Sequence, residues 1–194
     1  MTEGVRGTKT EKNLMVAFAG ESQARNRYTY SASAARKAGY EQIAAIFLET
    51  ADNEKEHAKR FLKFLKETGG EVSIEASYPA HFSDDTAANL RAAAGGEHEE
   101  WSRLYPGFAE VAETEGFSAV ATAFREIARV EAEHERRYLA LLANLERGEV
   151  FRKERPAKWH CRNCGYVAEG EEAPKTCPAC LHPRDYFELL AENY

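Results

Sequence analysis

The stretch ETADNEKEHAKRFLKFL, Glu49 to Leu65, decides the fold, because it has the pattern of a helix with charge on its buried face. Apolar side chains recur at spacings of three and four on both sides of its centre, as in an amphipathic α-helix. The same stripe, continued through the centre, meets Glu54 and His57. A buried carboxylate is stable only beside a cation or hydrogen-bond donors, so this helix predicts a partner inside the fold.

Four long helical patterns, of which this stretch is one, account for most of the chain. The predicted helices cover residues 10–37, 41–68, 84–116 and 117–147, and a glycine ends or follows each one. Pro106 predicts a bend in the third helix near Tyr105. Short turns join the first helix to the second and the third to the fourth, whereas a longer segment with a proline joins the second to the third. This connectivity predicts an all-α, ferritin-like four-helix bundle.

The composition sets broad limits on the class of protein. The 194 residues are 43% hydrophobic and 30% charged, with a formal net charge of -6, which suits one well-buried domain and a small second one. No basic cluster marks a nucleic-acid surface, so nucleic acid is not an expected partner. No apolar run resembles a secretory signal or reaches the roughly 18 residues of a membrane span. We therefore expect a cytoplasmic protein without a membrane partner.

Each predicted helix carries a carboxylate in the middle of its apolar stripe. The second and fourth helices add a histidine three residues later, in the sequences EKEH (54–57) and EAEH (131–134). The two halves repeat, since Glu54 follows Glu21 by 33 residues and Glu131 follows Glu97 by 34. At about 1.5 Å per residue, these side chains reach one level of the bundle. The predicted converging set is Glu21, Glu54, His57, Glu97, Glu100, Glu131 and His134.

Seven ionisable groups at one level need compensating charge, although any one glutamate alone would be interpreted as solvent-exposed. Arg25 is the only cation on the four stripes, so the pattern predicts two metal ions. Glutamates from two helices with Glu-x-x-His from the other two form the ligand set of di-iron carboxylate bundles, and such oxygen-rich sites suit iron or manganese. Glu100 has no counterpart in the first helix. It either exchanges with His57 on one metal or only hydrogen-bonds a ligand.

Two tyrosines lie one to two helical turns from these glutamates. Tyr28 and Tyr105 are placed to donate hydrogen bonds to ligand carboxylates, although ordinary core tyrosines fit the pattern equally well. We therefore treat both, together with Glu100 and His57, as candidate catalytic residues.

Residues 149–194 lose the helical period and contain all four cysteines, spaced C-x2-C-x12-C-x2-C. This spacing predicts a tetrahedral four-thiolate metal site rather than disulfides. Its ligands would be Cys161, Cys164, Cys177 and Cys180. Spacing alone favours a structural zinc ribbon, whereas iron would be a one-electron carrier with a task beside a redox di-metal site, which favours iron. We expect domains at residues 1–148 and 149–194, with FRKERPAKWHC (151–161) as a linker entering the second.

Five motifs occur together over essentially the whole chain: AFAGESQARNRY, ETADNEKEHAKR, AAGGEHEEWSRLYP, VEAEHERRY and KWHCRNCGYVAEGEEAPKTCPACLHP. In these motifs the chain resembles rubrerythrin, a ferritin-like di-iron bundle fused to a rubredoxin-like domain. The resemblance implies that Glu54 and Glu131 bridge two irons. It also implies that Glu21 binds the first iron, that Glu97 and His134 bind the second, and that a third iron forms an FeS4 centre on the four cysteines.

The resemblance also implies a function, the reduction of hydrogen peroxide to water in protection against oxidative stress. Glu100 would bind the first iron when it is oxidised, and His57 would replace it when the iron is reduced. The FeS4 centre would return electrons singly from a rubredoxin or an NAD(P)H-dependent flavoprotein reductase. Ile46 and Leu62, apolar and on the outside of the predicted bundle, suggest a homodimer. The alternatives are a ferritin-like ferroxidase that handles iron, and a scaffold protein with a zinc ribbon.

Overall fold

The computed structural model describes residues 4–66 and 68–193, which form a helical part followed by a small antiparallel sheet. The helices are α1 (Lys9–Lys37), α2 (Glu41–Leu65), α3 (Thr86–Glu99), α4 (Tyr105–Thr114) and α5 (Ser118–Glu146), with a π-helical segment (Glu100–Leu104) between α3 and α4. The predicted four-helix bundle is confirmed, with its third helix interrupted. Within the described residues, none of the helices combines the length and apolar composition needed to cross a bilayer.

Caps and glycines set several of the helix ends. The side-chain oxygens of Thr8 and Asp85 accept hydrogen bonds from backbone N–H groups in the first turns of α1 and α3. These bonds satisfy donors that a helix start leaves unpaired. Gly39 and Gly116 both have φ of 84° just past α1 and α4, a backbone conformation that glycine adopts without steric penalty.

The third predicted helix changes its geometry before Pro106. Residues 100–104 form the π segment, and Pro106 is the second residue of α4. Proline lacks the N–H of the regular helical hydrogen bond and its ring crowds the preceding turn, so a wider turn fits there. The irregularity that we predicted at Tyr105 therefore lies one turn earlier.

The long connection between α2 and α3 crosses the bundle. The second helix ends at Leu65, before the predicted end at residue 68, and residues 71–83 have no regular secondary structure. The hydroxyl of Tyr78 donates a hydrogen bond to the carbonyl oxygen of Val16 at 2.9 Å. This bond attaches the crossover to α1.

The bundle core has a charged layer between two apolar layers. On α2, Phe47 and Phe61 stand seven residues before and after Glu54, and they belong to different apolar clusters. Seven residues are about two helical turns, so the charged level lies between the clusters. The buried ionisable side chains at this level are Glu21, Glu54, Glu97, Glu131 and His134.

The sheet has the strand order β2-β1-β3, formed by β1 (Arg152–Cys161), β2 (Val167–Glu172) and β3 (Phe187–Leu189). The prediction of a linker at residues 151–161 is wrong, because almost all of this stretch is the central strand. Its mostly polar, exposed side chains gave no apolar alternation to mark it. Trp159 is its buried anchor, and the indole Nε1–H donates to the carbonyl oxygen of Gly170 at 2.9 Å.

The sheet contacts the bundle near the α1–α2 turn. The rings of Tyr40 and Phe151 stack with centroids 6.1 Å apart. A Cβ on Gly39 would lie 3.0 Å from the carboxylate carbon of Asp185, so both the close approach and the positive φ require glycine there.

The two side chains that suggested a homodimer differ in exposure. Ile46 is partly buried and packs against the apolar core, whereas Leu62 is 48% exposed. Packing within the chain therefore accounts for the apolar side chain of Ile46, whereas Leu62 presents an apolar surface to solvent.

Candidate metal centres

Six ionisable side chains from α1, α2, α3 and α5 meet in the charged layer. They form two overlapping groups, in each of which the potential ligand atoms lie within 4.8 Å of one another. The groups are Glu21, Glu54, His57 and Glu131, and Glu54, Glu97, Glu131 and His134. Glu54 and Glu131 belong to both groups, as expected of carboxylates that bridge two ions.

Many atoms of this cluster make no well-aligned hydrogen bond among the described residues, although some lie close to one another. They are Glu21 Oε2, Glu54 Oε1, Glu97 Oε2, both carboxylate oxygens of Glu131, and His134 Nδ1. Polar atoms left unpaired in a protein interior are costly. The oxygens of ionised carboxylates can only accept, so the cluster needs cations. The donor set therefore fits two bound metal ions.

Both histidines point one ring nitrogen at the carboxylates. The Nδ1 atom of His57 lies 2.9 Å from Glu54 Oε2 and 3.0 Å from Glu131 Oε1. The Nδ1 atom of His134 lies 2.8 Å from Glu131 Oε2, while its Nε2 lies 3.3 Å from Asn53 Oδ1. An Nε2–H donated to this amide oxygen leaves Nδ1 free for a metal. Sequence reasoning missed Asn53, whose only signal is its position next to Glu54.

Tyr28 and Tyr105 donate hydrogen bonds to two acids of the cluster from buried hydroxyl groups. Tyr28 on α1 donates to Oε1 of Glu97, and Tyr105 on α4 donates to Oε1 of Glu21. In both acids the other oxygen, Oε2, lacks a partner among the described residues. Each tyrosine thus orients a carboxylate with one oxygen left for a metal.

Glu100 lies beside this cluster. Among the described residues it belongs to neither four-residue group. It begins the π segment, and its partly buried side chain faces α1, where a Cβ on Gly20 would lie 3.9 Å from Glu100 Oε1. The structure therefore brings together six of the seven predicted side chains and leaves Glu100 next to them.

The pKa values of the cluster show the same deficit of positive charge. Burial, and then the neighbouring glutamates, raise the pKa values of Glu21 and Glu97 well above normal. Burial opposes ionisation of Glu54 as well, but the adjacent imidazoles of His134 and His57 hold its pKa at about 2. Burial also disfavours a charged His134, yet Glu131 and Glu54 outweigh it and raise its pKa to about 9. Protons thus supply part of the charge that metal ions would supply.

The four cysteines form a second centre in the sheet domain. The Sγ atoms of Cys161 and Cys180 are 3.8 Å apart, those of Cys164 and Cys177 are 3.6 Å apart, and all four lie within 4.8 Å. A tetrahedral ion with metal–sulfur bonds of about 2.3 Å gives sulfur–sulfur distances of about 3.8 Å. The cysteines are not in disulfides. Their geometry fits one four-thiolate ion.

The two C-x2-C turns have matching backbone hydrogen bonds. In each turn, the N–H of the first cysteine donates to the carbonyl five residues later, and its carbonyl accepts from the N–H four residues later. That fourth residue is Gly165 in the first turn, with φ of 81°, and Leu181 in the second, with φ of 62°. Leu181 therefore occupies a position that favours glycine, with its side chain 77% exposed.

The chain combines a helical bundle, which has a carboxylate–histidine site for two metals, with a four-cysteine sheet domain. This combination defines a class of di-metal proteins that carry their own thiolate-bound ion. The rubrerythrin family profile matches residues 12–142, and the profile of the rubrerythrin rubredoxin-like domain matches residues 159–188. The chain belongs to the rubrerythrin family.

Relatives match this chain over nearly its whole length. Rubrerythrin of Porphyromonas gingivalis is 61% identical over 194 residues, covering 100% of this chain and 96% of the relative. Rubrerythrin of Nitratidesulfovibrio vulgaris is 52% identical over 192 residues, covering 99% and 100%. A solved structure of nigerythrin in its fully reduced, all-ferrous state has a TM-score of 0.63 at 33% identity, covering 96% of this chain and 92% of that chain.

The family of the chain and the geometry of its two sites together establish the cofactors. The ferritin-like bundle has a carboxylate–histidine site for two iron ions, and the rubredoxin-like domain has a site for one iron on four cysteines. The predicted fold and iron cofactors are therefore confirmed.

Proposed function

We propose that this protein is a peroxidase that reduces hydrogen peroxide to water and protects against oxidative stress. One observation carries the proposal: a single chain holds a two-iron carboxylate–histidine cluster and a four-cysteine site for a one-electron carrier. An enzyme whose iron pair is oxidised in every turnover must be re-reduced, which gives the carrier a task. The alternative, a ferritin-like ferroxidase that handles iron, has no need of such a domain.

The proposal assigns each ligand a role. Glu54 and Glu131 would be shared by the two irons, because both residues belong to both groups. Glu21, with either His57 or Glu100, would hold the first iron, and Glu97 and His134 would hold the second. The third iron is held by Cys161, Cys164, Cys177 and Cys180. When bound, the ferrous pair supplies Lewis acidity and the two electrons that break the O–O bond.

The remaining residues orient ligands and handle protons. Tyr28 and Tyr105 hold the Oε1 atoms of Glu97 and Glu21, which fixes these carboxylates in position. Burial, and then nearby carboxylates, raise the pKa of Glu100 well above normal, so its carboxyl group can hold a proton for an oxygen released from peroxide. Glu100 and His57 would be alternative donors to the first iron, because an anion suits the ferric state and a neutral imidazole suits the ferrous state.

The proposal extends to domains and partners. We place the boundary between residues 148 and 149, supported by the end of α5 at Glu146 and the start of β1 at Arg152. The electron donor is a rubredoxin or an NAD(P)H-dependent flavoprotein reductase, which would approach the exposed Cys164. Free thiols suit the reducing cytoplasm, and exposed Leu62 suits a homodimer.

Anaerobic rapid mixing tests this function. The full-length protein is reduced under argon and mixed with hydrogen peroxide or with oxygenated buffer, and ferric absorbance is followed. We expect one peroxide molecule to oxidise one di-iron site, faster than oxygen does. Faster reaction with oxygen, with accumulation of ferric mineral when ferrous iron is added in excess, would instead establish the ferroxidase.

A further inference from the structure

A cavity of about 720 Å³ lies between α1, α3, α4 and the crossover, and the wall nearest the metal centre includes Glu100. Tyr28 and Tyr105, the two tyrosines that orient acids of the cluster, line it as well. The cavity is therefore continuous with the proposed active site. Its volume is in the range of pockets that bind small organic ligands.

The size and lining of the cavity exceed what hydrogen peroxide requires. Hydrogen peroxide has two heavy atoms and gains nothing from an apolar wall, because both of its oxygens need hydrogen-bond partners. The wall also includes the apolar side chains of Val16, Leu104 and Phe108. Such a surface favours a hydrocarbon group.

The charged side chains that line the cavity balance one another, with Glu99 and Glu100 against Arg27 and Arg103. The guanidinium of Arg103 forms an ion pair with Glu99, and Nε of Arg27 donates to the side-chain oxygen of Gln23 at 2.6 Å. This balance of charge favours a neutral organic group over an anionic one.

Gly20, in the middle of α1, keeps the inner end of the cavity open. Glycine is a poor helix former, so a glycine inside a helix needs a reason. A Cβ at this position would make only ordinary contacts, 3.7 Å from Tyr78 Cε1 and 3.9 Å from Glu100 Oε1. Packing therefore does not exclude a side chain at position 20. A side chain there would instead occupy the gap between the crossover and Glu100.

We propose that this cavity binds the organic group of neutral alkyl or aryl hydroperoxides, ROOH, and that the protein reduces them as well as hydrogen peroxide. This inference rests on the proposed peroxidase function. The reaction is ROOH + 2 H⁺ + 2 e⁻ → ROH + H₂O. The O–O bond breaks, and the two electrons would come from the reduced iron site. One oxygen stays on the organic group as an alcohol, and the other leaves as water.

The test uses the full-length, iron-loaded protein with cumene hydroperoxide and hydrogen peroxide in parallel. Binding of the product alcohol, 2-phenyl-2-propanol, is measured by calorimetry as a readout independent of turnover. Gly20→Leu should lower the ratio of cumene hydroperoxide rate to hydrogen peroxide rate by ~10-fold or more, since a side chain that obstructs a pocket discriminates by substrate size. Alcohol binding should weaken in parallel.

Matched variants distinguish an effect on the cavity from a folding defect. Gly20→Ala adds only the Cβ whose contacts are ordinary, and it should lower the ratio less than leucine does. Gly107, in α4, is outside the cavity lining, and a Cβ there would meet nothing within 4 Å. Gly107→Leu should leave the ratio and the alcohol binding unchanged.

The outcomes separate this inference from the peroxidase proposal. Reduction of hydrogen peroxide without reduction of cumene hydroperoxide overturns the cavity inference alone, as does an unchanged rate ratio in Gly20→Leu. Conversion of a dimer to a monomer by Gly20→Leu in sedimentation would assign the cavity to contact between two copies of the chain and also overturn it. Failure to reduce either peroxide overturns both proposals.

Discussion

The Nε2 atom of His134 on α5 lies 3.3 Å from Oδ1 of Asn53 on α2, so the two Glu-x-x-His helices are linked outside the ligand cluster. Asn53 immediately precedes Glu54, a member of both ligand groups. A hydrogen bond between this pair fixes the ring of His134 with Nδ1 toward the carboxylates. The amide therefore positions a candidate ligand without binding metal itself.

Replacing Asn53 by alanine should weaken metal binding. Loss of the acceptor frees the His134 ring, and we expect the affinity of the second metal to fall about 10- to 100-fold. Asn53→Asp keeps an acceptor and should retain the affinity. Titration of the metal-free variants with Co²⁺, followed by absorbance, measures this. The control is Asn26→Ala, which removes an exposed amide bonded to the carbonyl of Ser22. Equal affinity in Asn53→Ala and the parent protein would contradict the role.

Replacing Glu100 by alanine should slow peroxide turnover about 10- to 100-fold while both irons stay bound, because Glu100 lies outside the two ligand groups. Iron analysis and peroxide consumption with a chemical reductant measure the two properties separately. Glu99→Ala is the neighbouring control, since Glu99 pairs with Arg103 at the surface. Loss of one iron from Glu100→Ala would show instead that Glu100 is needed to hold metal.

The metal-free protein should lose stability as pH rises. The folded-state pKa values of Glu21 and Glu97 lie well above the ordinary 4.5, and that of His134 is about 9 against 6.5. A group with a raised pKa binds its proton more tightly in the folded chain, so its contribution is complete below the unfolded pKa. The free energy of unfolding therefore falls from pH 4.5 upward, with the His134 part lost between pH 6.5 and about 9. The pKa of Glu54 is lowered from 4.5 to about 2, so this residue changes the free energy of unfolding only below pH 4.5.

Urea unfolding of the chelator-treated protein at pH 5, 7 and 9 checks this direction. Binding of metal must displace these protons, so the affinity for Co²⁺ should rise over the same pH range. The variant Glu131→Gln, which removes one of the charges that raise these pKa values, should flatten the slope. Stability that increases with pH in the metal-free chain would contradict the interpretation of the cluster as short of positive charge.

The position of the metal ligands along the bundle could be predicted, because several buried charges at one level require metal ions. The geometry of the neighbouring helix could not. Glu131 follows Glu97 by 34 residues, one more than the 33 between Glu21 and Glu54. Likewise, Tyr28 follows Glu21 by seven residues, whereas Tyr105 follows Glu97 by eight. The π segment at residues 100–104 absorbs the extra residue, so each tyrosine still reaches the acid of the other helix. The sequence contained this difference, yet a spacing alone does not say which turn widens.

Two other features could not be predicted from the periodicity of the sequence. Asn53 acts through a contact with α5 that depends on how the helices pack, and no motif marks it. The strand at residues 152–161 is mostly exposed and polar, and its buried residues, Trp159 and Cys161, lie near its end and depend on partners later in the chain. Tertiary pairing, rather than local pattern, creates such a strand.

Replacing Leu181 by glycine should stabilise the four-cysteine domain. Leu181 has φ of 62° at the position that Gly165 occupies in the matching turn, and a left-handed conformation costs a non-glycine residue about 1–2 kcal/mol. Glycine adds unfolded-state entropy worth about 0.4–1 kcal/mol, which leaves a net gain of about 1 kcal/mol. Guanidinium-induced loss of ferric-thiolate absorbance should therefore need more denaturant. Gly165→Ala, which introduces the same strain in the first turn, should need less. A lower midpoint for Leu181→Gly would show that contacts of the leucine side chain outweigh its backbone strain.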